Sequence, residues 1–378
     1  MLTSLRRSKR SSGHFRFPGS EKQATLDTLN FQEAEAEVSD QNYETERFRK
    51  RQCYGLLHSQ YSFIDSQTLS TLPVEDATFL SAKGAVTLPD EAAMEEFVYQ
   101  YFKRVHPSVP MIDEAEFWRI YHNRLPGNLS LFVFQAILFA SCPFVSLETL
   151  RRCGFENKRD ARKQLYNRAK LLFDLKAETK PSAKAKGAVL LTHHTSAEDP
   201  QAGSLWLTRA IESAMMIDAQ PSLLVDDISP SLKKRLWWSI LLRDRSLCIG
   251  LRRRPQVPIK YCDWITEDDF MDEIYSSRAY DPNEKRRLLT ALQEQCQLAV
   301  LLSDLVSLIF APRVFPSCFL SVDQFDGLML TIDKIRLSLV EWENQTLSTR
   351  QLMERAESDD PAAMLTALTS MYYQYDIP

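Results

Sequence analysis

The run Asp268-Asp269-Phe270-Met271-Asp272-Glu273 places two adjacent acids beside a third three positions on, a spacing at which carboxylates can hold magnesium against a diphosphate. That chemistry needs a second set, Asn or Asp, then Ser or Thr, then Glu, on a later helix. The other acidic pair, Asp226-Asp227, precedes the first and has Pro230 and Lys234 where polar ligands would stand. A Mg-dependent prenyl diphosphate enzyme is therefore a remote alternative. His106-Pro107 closes a helix and has no second ligand at a useful spacing, so His106 reads as a helix-end residue. His193 and His194 are neighbours and point to different helix faces, unlike a chelating i, i+4 pair, and read as surface or loop groups.

The seven cysteines give no metal cluster. Six thiolates holding two zinc ions would begin Cys-x2-Cys-x6-Cys, whereas Cys53 has no near partner, Cys142 and Cys153 are eleven apart, and Cys248 and Cys262 fourteen apart. An odd cysteine count in a long chain suits small core residues with reduced thiols. Gly-x-Ser-x-Gly, a phosphate-binding glycine loop, His-Glu-x-x-His and the dinucleotide fingerprint are all missing. No catalytic, cofactor or metal residue is assigned, and the chain is expected not to be an enzyme. Arg252-Arg253-Arg254, with Lys233, Lys234, Arg235, Arg243 and Arg245, forms a basic cluster that could meet phosphates. The plainer reading is arginine forks on Asp226, Asp227, Asp244 or Asp263.

The elements that would carry these groups are helices. Ten glycines in 378 residues disfavour a turn-rich β architecture, and 44% hydrophobic residues supply a core. A net charge of −4 and a pI near 6.0 confine any nucleic-acid contact to a local patch. Val98, Tyr101, Phe102 and Val105 recur at the offsets of one helical face within 95–106. Residues 128–147 carry no charge across twenty positions, long enough to span a bilayer. Gln135, three serines, Pro143 and the missing aromatic-basic flanks favour a central bundle helix instead. Further helices are expected over 159–175, 183–195, 204–217, 285–309, 323–342 and 362–373.

The chain is organised around 204–265. Ser229-Pro230 opens a helix through Leu236, Ile240, Asp244 and Leu247 that is apolar over most of its circumference and should lie deep in a bundle, stopping near Gly250 and Pro255. The order Trp206, Ala210-Ile211, Lys233-Lys234-Arg235-Leu236-Trp237-Trp238-Ser239, Arg243-Asp244-Arg245, Gly250, Arg253-Arg254-Pro255 resembles the helical middle homology region of fungal zinc-cluster transcription factors. It is most similar to cutinase-type and secondary-metabolism regulators. Tyr101-Phe102 through Phe117, and Tyr166 through Leu172, are similar to the same region. The resemblance implies an all-α multi-helix bundle, structural roles for Arg235, Trp237, Trp238, Asp244, Arg254 and Pro255, and zinc only through a cluster that this sequence does not contain.

On that resemblance, residues 90–378 are expected to form the regulatory domain, apparently truncated at its C-terminus, with 1–89 a disordered tail, basic then acidic. Arg6, Arg7, Lys9 and Arg10 are a candidate nuclear-import signal. The expected protein is a nuclear transcription regulator of a metabolic or secondary-metabolite gene set. Its partners would be DNA, directly or through another transcription factor, and a homo- or heterodimer mate, with no membrane. A helical scaffold without a transcriptional role is the alternative.

Overall fold

The computed structural model describes residues 61–65, 67–125, 129–219, 228–257, 263–310, 321–354 and 360–376. The import candidates Arg6, Arg7, Lys9 and Arg10, together with Cys53, Asp226, Asp227 and Cys262, lie outside the described residues.

The fold is all-α. Helices α1 (Gln67–Ser70) and α2 (Val74–Ala82) lead to α3 (Glu91–Gln100), which runs on into a π-helical turn over Tyr101–Val105. Next come α4 (Glu114–Asn123), α5 (Leu131–Ser141), α6 (Leu147–Arg152), α7 (Lys158–Asp174), α8 (Pro181–Leu191) and α9 (Ala202–Ala219). The second half holds α10 (Pro230–Leu251), α11 (Met271–Ser276), α12 (Pro282–Ile309), α13 (Val322–Glu354) and α14 (Pro361–Asp376). Among the described residues the only sheet is a parallel pair, β1 (Ile64–Asp65) against β2 (Leu129–Ser130).

Starts are written by caps. Asp90, Asp113, Ser130, Asn157, Ser229 and Asp281 each accept a backbone N–H of the first turn, and Pro230 and Pro282 occupy first positions where no donor is needed. The uncharged stretch supplies α5, in which ten of eleven residues are buried. At about 1.5 Å per residue it is far shorter than a hydrocarbon core. No helix among the described residues is long and apolar enough to cross a membrane. α5 is instead the central strut, packed by α3, α7 and α8. Its approach to α8 needs Gly187, because a Cβ there would lie 2.2 Å from Cε1 of the buried Phe132.

One boundary differs from the sequence reading. Asp90 caps α3 but does not begin the packed domain, because Phe63, Ile64, Leu69, Leu80 and Ala85 already belong to the main core. α10 stops between Gly250 and Pro255 as the sequence implies, at Leu251, where Arg252 turns left-handed at φ 51°. Its first part gives Leu236, Trp238, Ile240 and Leu241 to the main core, and its end gives Cys248 and Ile249 to a second cluster with Leu302, Val306, Leu339, Trp342 and Tyr373. One helix thus ties both cores together.

Candidate functional site: the Pro230–Leu251 helix and its buried charges

The polar side chains of α10 are spent on fastening other segments. Arg235, 2% exposed, donates through Nε to the Pro110 carbonyl at 2.6 Å and through Nη2 to the Ile112 carbonyl at 2.9 Å. The same Nη2 meets Glu273 Oε1 at 2.5 Å, and the guanidinium lies 4.3 Å over the Phe270 ring. A planar fork with several fixed donors suits this task, which a lysine could not perform. Trp238 is buried and donates to the Asp263 carbonyl at 2.8 Å while stacking on Trp264. Trp237 sits further out and donates to Asp218 at the end of α9, where Lys233 also pairs.

Asp244 is fully buried and collects the chain that follows the helix. Its Oδ2 accepts from the Gln256 and Val257 amides at 2.9 and 3.0 Å and from Arg245 Nη1 at 2.5 Å; its Oδ1 accepts from Arg253 at 3.0 Å. Arg245 goes on to Ser303 of α12 and to the Val257 carbonyl. Arg243 and Arg162 donate to the carbonyls of Thr192 and His193, so two cations close the negative end of α8.

The basic cluster is therefore mostly engaged in internal contacts. Lys234 pairs with Asp269, Arg245 and Arg253 with Asp244, and Arg235 with Glu273, leaving Arg252 and Arg254 exposed beside half-buried Pro255. Asp263 receives Trp238 on its backbone carbonyl.

The acidic run does not converge on a metal. Asp268 and Asp272 are exposed, whereas Asp269 folds back onto Thr266 and Lys234 and Glu273 turns into the core. These four carboxylates face different surroundings and cannot share one magnesium.

His106 is more than a helix-end residue. Sequence spacing offers it no second ligand, yet the fold brings Glu114 and Glu273 against it, with candidate ligand atoms of all three residues within 4.8 Å of one another. The three are already committed: Lys285 pairs with both glutamates, Arg235 takes Glu273, and the Glu273 carboxylate also accepts the Glu114 amide. The His106 Nε2 donates to the Ile112 carbonyl at 2.8 Å. Two acids balanced by two bases leave little attraction for a cation, so this is a structural ion network. Beside it lies a cavity of about 20 Å³, room for roughly one water, walled by His106, Pro110, Phe270 and Lys285. His193 and His194 are also not free loop groups. His193 is half-buried at the α8 end, and the His194 ring stacks on Tyr166 at 3.5 Å.

The network carries a pH signature. Burial pushes His106 down to about 4, against the pull of Glu273. Burial would raise Glu273, but Arg235, His106 and Lys285 together bring it down to about 2. Between pH 6.5 and 4 the unfolded chain holds a proton on His106 that the folded chain does not, so stability falls as pH falls through that window, by on the order of 3 kcal/mol. The Glu273 contribution is complete above its ordinary value and disappears as pH drops further towards 2. Urea unfolding of the parent and of His106→Gln should differ in slope between pH 6.5 and 4, with the variant flatter; parallel curves would show that His106 titrates normally.

No protein-family profile matches the chain, and no solved structure matches it. Relatives do. A transcription factor of Fusarium pseudograminearum is 34% identical over 209 residues, which is 54% of this chain and 22% of that protein. Cutinase transcription factor 1 beta of Fusarium vanettenii is 29% identical over 238 residues, 61% of this chain and 27% of the relative. Fusaric acid cluster transcription factor FUB12 of Gibberella moniliformis is 27% identical over 278 residues, 70% of this chain and 40% of the relative. The chain thus spans about a fifth to two fifths of the length of these relatives. In sequence it is similar to fungal transcription factors, as the residues around Arg235 and Asp244 imply.

Proposed function

We propose that this chain is the helical regulatory part of a transcription regulator governing a metabolic or secondary-metabolite gene set. The observation that carries the reading is the similarity to three fungal transcription factors over 54% to 70% of the chain. The geometry supports a regulatory rather than a catalytic role, since the signature residues Arg235, Trp238 and Asp244 are spent on holding segments together. In this reading the chain is not an enzyme and binds no cofactor through its own residues. Residues 61–376 form the regulatory domain, DNA is reached directly or through a partner factor, and Arg6, Arg7, Lys9 and Arg10 direct the protein to the nucleus.

The test joins the full chain to a heterologous DNA-binding domain upstream of a reporter, alongside transcript profiling of a deletion strain. Reporter output altered severalfold, with a metabolic gene set changing coherently in the deletion, is the expected result. An inert fusion together with an unchanged transcript profile would overturn the reading. A fluorescent fusion should lose nuclear accumulation when the four basic residues are replaced by alanine.

A further inference from the structure

Between α3 and α4 an open groove of about 570 Å³ is lined by Ala92, Glu95, Tyr99, Trp118, His122 and Arg278, a volume in the range of small-molecule sites. Of the charges nearby, Glu91 pairs with Arg124, Glu116 with Arg119, Glu96 accepts from Ser146 and Thr149, and Lys103 lies over the Tyr99 ring at 5.7 Å. Two groups inside it differ. Among the described residues, neither the Glu95 carboxylate nor the Arg278 guanidinium is in a salt bridge, although Arg278 leans over the Trp118 ring at 5.6 Å. Both line the groove with His122, whose pKa is lowered by burial and by Arg278 against the opposing pull of Glu95. That ring lies parallel on Trp118, with centroids 5.2 Å apart, and His122 is itself exposed, offering its outer face as a platform beside exposed Tyr99.

We propose that this groove binds an aromatic amino acid, with the ligand carboxylate on Arg278, its ammonium on Glu95 and its ring between Tyr99 and His122. A guanidinium fork suits a carboxylate, and the ring extends a stack that the protein has already begun. The groove also has a route to the signature helix. The Trp118 indole, the Arg278 amide and the Ser277 hydroxyl all donate to Glu114 Oε1, and Lys285 links Glu114 to Glu273 and so to Arg235. A ligand holding Arg278 and stacked on His122, which itself lies on Trp118, therefore steadies the 269–278 segment. Its role as an effector rests on the regulatory reading; the binding itself does not.

Isothermal titration of the full chain tests this with L-tryptophan as the probe, against tryptamine, which lacks the carboxylate, and indole-3-propionate, which lacks the ammonium. Saturable L-tryptophan binding is expected, weakened about tenfold or more in either analogue, in Arg278→Gln and in Glu95→Gln. Both substitutions are at exposed positions, and circular dichroism checks that the variants fold. Absence of saturable L-tryptophan binding, equal binding of all three indoles, or variants that bind like the parent would each overturn the proposal. Lost binding with an active reporter fusion would sink the groove alone, whereas intact binding with an inert fusion and unchanged transcripts would sink the regulatory reading alone.

Discussion

Arg235→Ala is expected to destabilise the fold by about 3–5 kcal/mol, a large share of the roughly 5–15 kcal/mol that holds a domain together. The loss has two parts. The Pro110 carbonyl loses its Arg235 donor, and the Ile112 carbonyl keeps only His106. Glu273, 1% exposed, keeps its charge but loses its 2.5 Å partner, leaving Lys285 at 3.3 Å to balance two carboxylates. Arg235→Lys should recover little, because an ammonium cannot span the carbonyls and the carboxylate together. The informative variant is the double replacement Arg235→Met with Glu273→Leu. It removes one charge of each sign, leaves Lys285 on Glu114, and should restore more than half of the lost stability in urea unfolding. Recovery stays incomplete because the Pro110 carbonyl still lacks its donor and the Glu114 amide at the start of α4 loses its acceptor on Glu273. A double variant no more stable than Arg235→Ala would mean that the arginine matters for its carbonyl contacts and its packing against Phe270 and not for charge.

Much of the helical plan is legible in the sequence, because the information is local. Ser229-Pro230 writes the start of α10, and the apolar residues over most of its turns announce burial on several sides. The same holds for α5, whose lack of charge reads as a buried strut once its length is measured. What stays hidden is what the tertiary fold decides. Nothing in the spacing around Arg235 points to Pro110, Ile112 or Glu273, and nothing around His106 points to the two glutamates the fold delivers to it. The packing of the segment before Asp90 is not legible, because Phe63, Ile64, Leu69 and Leu80 are scattered among polar residues without a sustained period. Its two-residue strand is too short to show alternation. The end of α10 is legible too, since Gly250 and Pro255 flank the stop; what the spacing does not show is that Arg252 takes the left-handed turn while Asp244 draws in the chain that follows.

Asp244 is accordingly the second residue whose loss should be severe. Asp244→Ala leaves Arg245 and Arg253 without their carboxylate and strands the amides of Gln256 and Val257, at an expected cost of about 3–5 kcal/mol. Asp244→Asn separates the two halves of that job. If the amide oxygen takes the Oδ2 place, it still accepts from Gln256, Val257 and Arg245, but its NH2 then faces Arg253, donor against donor. The expected cost is smaller, about 1–3 kcal/mol, and local. Hydrogen exchange should therefore accelerate at Gln256 and Val257 in Asp244→Ala and stay near the parent rate in Asp244→Asn. Adding Arg253→Ala should relieve Asp244→Asn but not Asp244→Ala. Fast exchange in both single variants would show that the negative charge, not the oxygen's position, holds the loop. Unchanged exchange in both would show that Asp244 does not hold it at all.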